Sequence, residues 1–300
     1  MRHRVHPTEL LVRQHLQALT RSLPGAQKGE APVLHRARVA TRRLRELLPV
    51  VLPGSRGRKL ERKVRRLTRA MGPVRELDVV MQILDELNAA DDAPRAGIAR
   101  LRQVIRQEHQ KLHTAMRHEV ARIDIDKLRR RMTAASRKER VRTRGRARAP
   151  RRLASAHERA ARRAIELRDA IENAGSIYLP DRLHEVRVAV KKLRYASEVE
   201  TGLSGSRAVV ALRKLKEAQD LLGRMHDLEV LIARVRAVQA SRAPNLRLSS
   251  DLDRLVRRLE TECRQLHGHY MTLRKGLLAI CDRAETSPAG PAKSRVSSAA

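Results

Sequence analysis

The chain carries one eleven-residue cationic segment twice, and this repetition constrains its fold more than any other feature. His35-Arg-Ala-Arg-Val-Ala-Thr-Arg-Arg-Leu-Arg45 returns as His184-Glu-Val-Arg-Val-Ala-Val-Lys-Lys-Leu-Arg194, with six of eleven positions identical and two more exchanging Arg for Lys. A second pair follows in the same order: Gly72-Pro-Val-Arg-Glu-Leu-Asp-Val79 answers to Gly223-Arg-Met-His-Asp-Leu-Glu-Val230. The offsets, 149 and 151 residues, are close to half of the 300-residue chain. Two unrelated segments that keep their order and separation argue for an internal duplication.

Apolar residues recur at helical spacing in both halves. They predict helices near residues 8–23, 33–52, 56–71, 75–90, 95–122 and 125–135, then near 151–174, 181–201, 206–222, 226–240 and 250–283. Pro24-Gly25, Pro53-Gly54, Gly72-Pro73, the run from Asp91 to Pro94, and Gly175 with Pro180 mark the breaks. Leu, Ala, Arg and Glu abound, while Phe and Trp are absent, so propensity also favours helix over strand. A hydrophobic fraction of 41% allows a buried core. Consecutive helices with short connections imply bundles, and the expected architecture is all-α, with two tandem antiparallel four-helix bundles, one per half. The first helical half is expected over 8–135 and the second over 153–283. Between them, residues 136–152 hold nine Arg or Lys in seventeen and read as an exposed basic linker. The Ser-, Pro- and Ala-rich tail from residue 284 reads as disordered.

Charge defines the partner class. Sixty-six basic against 33 acidic residues leave a formal charge of +33, far more than solubility requires, which points to a polyanion. Nucleic acid, anionic lipid and polyphosphate all fit charge alone. With no Phe or Trp and three Tyr, the platforms on which single-stranded bases stack are nearly absent. No helix-turn-helix, zinc-finger or RNA-recognition signature appears. Cys263 and Cys281, 18 residues apart in one helical stretch, would lie about 27 Å apart and could not bridge. With no signal-peptide core and no spanning run, a cytoplasmic protein without a membrane segment is expected.

On a helical wheel His35, Arg38, Arg42 and Arg45 share an arc of about 80°, with Leu44, Leu47, Leu48 and Val51 on the other side. His184, Arg187, Lys191 and Arg194 repeat the ladder at the same spacing, and Arg43 and Lys192 flank the two arcs. Rows of like charge weaken a helix by a few tenths of a kcal/mol per neighbouring pair, about the amount an opposite charge would add. A ligand with several phosphates reverses that sign, whereas a solvated face is the alternative reading. Lys59, Arg62, Lys63, Arg66 and Arg69 add cations on the next predicted helix. Its counterpart keeps Arg213, Lys214 and Lys216 but has Glu217 and Asp220 where Arg66 and Arg69 stand. Glu76, Asp78, Asp227 and Glu229 sit near a helix start and are expected to orient neighbouring arginines.

The two His-led segments, each followed by Met/Leu-Gly and an acidic-Leu-acidic-Val motif, resemble the CHAD family, the conserved histidine α-helical domain, over most of residues 8–283. That resemblance implies two helical bundles related by a pseudo-twofold and a basic groove or pore between the halves that binds inorganic polyphosphate, with association to polyphosphate granules. Carried over by position, it implies His35, Arg38, Arg42, Arg45, His184, Arg187, Lys191 and Arg194 as ligand-facing groups, with Lys63 and Lys214 as helpers. Pro73-Val74-Arg75-Glu76 and Arg224-Met225-His226-Asp227 depart from the usual Arg-Asp pair and leave the roles of Arg75 and His226 open. A nucleic-acid-binding protein is the alternative. An enzyme is not expected: there is no P-loop, no HExxH and no carboxylate cluster to hold a catalytic cation, and no cofactor is implied. His109 with His113 and His267 with His269 have chelate spacing but read as surface histidines.

Overall fold

The computed structural model describes residues 7–142, 148–205, 208–241 and 246–286. Within them the chain folds into ten helices and no strand: α1 Pro7–Gln27, α2 Ala31–Val51, α3 Ser55–Ala70, α4 Gly72–Asn88, α5 Arg95–Ala121, α6 Ile125–Arg142, α7 Arg148–Ala174, α8 Pro180–Ser204, α9 Val209–Ala240 and α10 Leu246–Thr286. The all-α expectation holds.

Local chemistry sets the boundaries of the two ladder helices. Proline stands in the first turn of both α2 and α8, where its missing N–H would have no helical acceptor in any case. Gly205 ends α8 in the left-handed region at φ 69° and returns its N–H to the carbonyl of Thr201 at 3.0 Å. The second repeated motif behaves differently in its two copies. Gly72-Pro73 separates α3 from α4, because Pro73 has no N–H to continue the ladder and its ring crowds the preceding turn. Gly223 is followed by Arg224, so α9 runs unbroken through it and the expected break at 222–226 does not occur.

Two hydrophobic cores result, and they do not divide at mid-chain as one bundle per half requires. One core joins α1, α2 and α3 to Val74, to Met116 and Val120 at the end of α5, to Leu128 and Met132 of α6, and to Ala156 and Val199 from α7 and α8. The other joins α9, α10 and the facing parts of α7 and α8 to Leu77, Val80, Ile83, Leu84 and Leu87 of α4 and to Ile98, Leu101 and Ile105 of α5. Most of α4 and the start of α5 are thus buried among second-half helices. The reason is the continuous length of α5, about 40 Å, whose apolar stripe runs from Ile98, Leu101 and Ile105 in the second core to Met116 and Val120 in the first. Asp251 on α10 fixes this crossing, since its Oδ2 accepts the N–H groups of Ala96 and Gly97 at 3.1 and 3.2 Å and so caps α5 from across the molecule.

Of the expected linker, residues 136–142 complete α6 and 148–152 open α7, while 143–147 lie outside the described residues. Of the expected tail, 284–286 end α10 and the remainder lies outside the described residues. Cys263 and Cys281 are buried, unpaired thiols. No helix among the described residues is long and apolar enough to cross a membrane.

Candidate functional site

Helices α2 and α8 pack against each other, and the ladders they carry face one shared space. Their charged groups act on one another across the two helices. Burial, then Arg42 and Arg75, push Arg38 down to about 10, with Arg187 adding to the effect. Burial, then Arg187 and Arg42, push Lys191 down to about 6, and Arg38 acts on it too. Arg187 is lowered by burial and by Arg42, against the opposing pull of Asp227. Arg42 therefore lies within range of Arg38 on its own helix and of Arg187 and Lys191 on the other. Each of these four cations is partly buried, so water screens their repulsion only in part.

The histidines stand at one end of this row and are exposed. His35 is lowered by burial and by Arg75, Arg42 and Arg38. His184 meets His226 of α9 with Nδ1 to Nδ1 at 3.1 Å. Arg75 and His226, equivalent positions of the second motif, thus sit beside the equivalent histidines, which settles their place in the cluster. The carboxylates of that motif divide their work. Asp227 lies 3.8 Å from Arg187 and is raised by burial despite Arg187 and Lys191. Glu76 acts on both Arg187 and Asp227. Asp78 instead takes a hydrogen bond from His109 of α5 at 2.9 Å, and Glu229 takes one from the hydroxyl of Tyr178. Two carboxylates among four guanidiniums, those of Arg38, Arg42, Arg75 and Arg187, with the depressed amine of Lys191 beside them, leave a positive excess.

Arg38 is held from behind. Its Nη1 donates to the carbonyl of Thr68 in the last turn of α3 at 2.9 Å. A side chain at Gly72 would bring Cβ to 3.2 Å from that nitrogen, so the glycine gives the guanidinium its room.

Several residues of the two ladders are engaged elsewhere. Arg43 pairs with Glu198 at 2.9 Å. Arg194 pairs with the same carboxylate, donates to Gln219 at 2.9 Å and lies 4.4 Å over the ring of Tyr195. These contacts tie α2 to α8 and α8 to α9. Lys192 turns to Glu166 of α7 at 3.1 Å. Arg45 is half-buried and feels Arg65, Glu46 and Glu61 more than Arg42, placing it past the end of the shared space. Lys63 is partly buried on α3. Lys214 is not brought to the cluster: its Nζ lies against Gly276 of α10, and about 140° of α9 separates it from Asp227. The two chelate-spaced pairs are also separate from the cluster, with His109 on Asp78 and His267 against Tyr178. Among the described residues no three His, Cys, Asp or Glu side chains come together as a metal-ion cage.

An all-helical fold in which two packed helices each carry a copy of one cationic segment defines a class before it defines a family. The family follows from comparison: residues 10–236 match the CHAD domain, and the chain belongs to that family. The match runs from α1 into α9. The crystal structure of the CHAD domain from the plant Ricinus communis superposes with a TM-score of 0.67 at 21% identity, covering 91% of each chain. PptA from Streptomyces chartreusis superposes with a TM-score of 0.57 at 14% identity, over 90% of this chain and 98% of that one. At these identities the likeness is one of fold. No curated protein matches the sequence.

Proposed function

We propose that this CHAD-domain protein binds inorganic polyphosphate, without turning it over, in the space between α2 and α8. The observation that carries the reading is the convergence of Arg38 and Arg42 with Arg187 and Lys191, which the duplication supplies from the two halves. Three partly desolvated guanidiniums that repel one another, and the Lys191 amine that a polyanion would recharge, are stabilised by a ligand whose charges repeat at short, regular intervals. A chain of phosphates has that pattern, and the arginine forks suit its oxygens.

Nucleic acid shares the charge, but the aromatic surface that would grip bases is missing. Tyr195 and Tyr270 are buried and the hydroxyl of Tyr178 is bound to Glu229. Competition decides between them: labelled polyphosphate held by the full chain is expected to resist displacement by single- or double-stranded nucleic acid. The reading fails if nucleic acid displaces it at lower phosphate concentration than unlabelled polyphosphate does. Absence of turnover is checked by phosphate release with Mg²⁺ or Mn²⁺ present, where release above background makes the protein an enzyme. Association with polyphosphate granules is part of the proposal. A fluorescent fusion should form foci in cells that contain polyphosphate and lose them in cells that lack it.

A further inference from the structure

The two ladders carry the same residue types at every rung but one. His35, Arg38 and Arg45 answer to His184, Arg187 and Arg194, whereas Arg42 answers to Lys191. A guanidinium stays charged near neutral pH, but a desolvated amine can surrender its proton and then holds a nucleophilic lone pair. The surroundings of Lys191 favour that second form. It is partly buried on α8, which packs against α2. Among the described residues no carboxylate comes within ion-pair distance of the amine, and Asp227, which acts on it, sits 3.8 Å from Arg187 instead. Arg187 precedes Lys191 by one turn on the same helical face, and its Nε is buried without a hydrogen-bond partner. Arg42 and Arg38 reach the amine from α2. One amine thus stands among three guanidiniums, one of which has an N–H still lacking an acceptor.

We propose that Lys191 is a carbamylation site, where its amine takes up carbon dioxide and the guanidiniums of Arg187, Arg42 and Arg38 hold the carbamate formed. The amine lone pair makes the N–C bond, one C–O π pair moves onto oxygen as the negative charge, and one N–H proton leaves to water. No oxidant, reductant or further reactant is needed. Carbon dioxide is small and uncharged, so it enters a partly buried cationic site without recharging the amine before it reacts. Burial, then Arg187 and Arg42, hold that amine down at about 6, with Asp227 opposing and Arg38 adding to the effect, so its lone pair is free near neutral pH. The product places an anion among guanidiniums that otherwise repel one another and supplies acceptor oxygens beside the Nε of Arg187. Carbamate and polyphosphate exclude each other, because the first consumes the lone pair that the second protonates and sets negative charge where phosphates would lie. This competition rests on the proposed polyphosphate site, whereas the carbamate itself does not.

The test equilibrates the full chain with carbon-13-labelled carbon dioxide and bicarbonate at fixed neutral pH and ionic strength and reads the carbon-13 spectrum. The parent should show a carbamate resonance that is missing from Lys191→Arg, which copies the first-half rung and keeps its charge. Lys191→Gln serves as a second variant should the arginine disturb folding, with circular dichroism as the check. Tripolyphosphate should suppress the resonance in the parent. Raising carbon dioxide should lower the parent's affinity for long-chain polyphosphate about tenfold, an ordinary size for coupling between two ligands, and leave that of Lys191→Arg unchanged, which separates carbamylation from competition by bicarbonate ion. Identical spectra for parent and variants overturn the carbamate, and an equal loss of affinity in parent and Lys191→Arg overturns the competition. Failure to bind polyphosphate in buffer free of carbon dioxide overturns the proposed function instead, while the carbamate is still decided by the spectrum.

Discussion

Arg38 of α2 donates from Nη1 to the main-chain oxygen of Thr68 in α3, 2.9 Å away, through space that Gly72 leaves open. The glycine matters to the site through this contact more than through the helix it begins. Gly72→Ala gains up to about 1 kcal/mol of helix propensity but presses its methyl on the guanidinium. Its melting temperature should hold or rise slightly, while polyphosphate affinity falls several-fold. Calorimetry and anisotropy on one sample check both, and undiminished affinity would show that Arg38 does not need this hold.

Arg42 and Arg43 are neighbours in sequence with opposite surroundings, one among cations and one paired with Glu198. Arg42→Ala should weaken polyphosphate binding about tenfold and shallow its salt dependence by roughly one ion, as loss of one phosphate contact does. Arg43→Ala should cost stability instead, about 1 kcal/mol or less for a partly exposed pair. Equal losses of affinity in the two variants would mean that the helical face does not discriminate between them.

Lys191 links the site to pH in two opposite senses. Its folded pKa of about 6 lies far below the ordinary 10.5, chiefly through burial and then through Arg187, Arg42 and Arg38, with Asp227 opposing. Between those values the unfolded chain holds a proton that the folded chain lacks, so ligand-free stability should rise with pH across that window. A bound polyanion restores the proton, so affinity should fall as pH climbs above about 6. Titration calorimetry at pH 8 in buffers of different ionisation enthalpy should find proton uptake on binding. Release, or no exchange, would contradict a buried ammonium facing the ligand. Lys191→Gln should abolish the uptake.

Asp251 is buried and caps α5 from α10. Burial raises its carboxyl, but hydrogen bonds from Arg254 and the Gly97 amide outweigh that and hold it below the usual range. Asp251→Ala should cost about 1–2 kcal/mol, the value of a helix cap, and leave polyphosphate affinity unchanged. In the parent the cap's contribution should be present above the normal carboxylate range and lost as acid takes pH down through the depressed value. Denaturant titrations at pH 7 and pH 3 check both statements, since the difference between parent and variant should shrink in acid.

The ladders were legible because a helix of 3.6 residues per turn turns spacing directly into direction. His35, Arg38, Arg42, His184, Arg187 and Lys191 could be placed on two faces from their numbers alone. The same arithmetic set Arg43 and Lys192 beside the arcs but could not name the carboxylates that claim them, Glu198 and Glu166, which stand on other helices; the pairing of Arg194 with Glu198, four residues on, had a local signal in helical spacing. Lys214 was misplaced by homology of position: its helix repeats, but its exposed side chain stands beside Gly276 of α10 instead of the shared space. The open roles of Arg75 and His226 had a signal, since they hold equivalent positions in the second motif and each falls beside the histidine of the first.

The amino-acid sequence by itself determined that the chain is helical, that it is internally repeated and that each repeat carries a cationic stripe. These are properties of local periodicity and composition, which a single helix expresses before anything packs. Only the tertiary structure decided that the stripes face one another, that α4 and the start of α5 are buried among second-half helices, and which cations remain unpaired. Those outcomes depend on contacts between residues 100 or more positions apart, such as Arg43 with Glu198 and Asp251 with Gly97, where burial and charge balance are set by the whole fold.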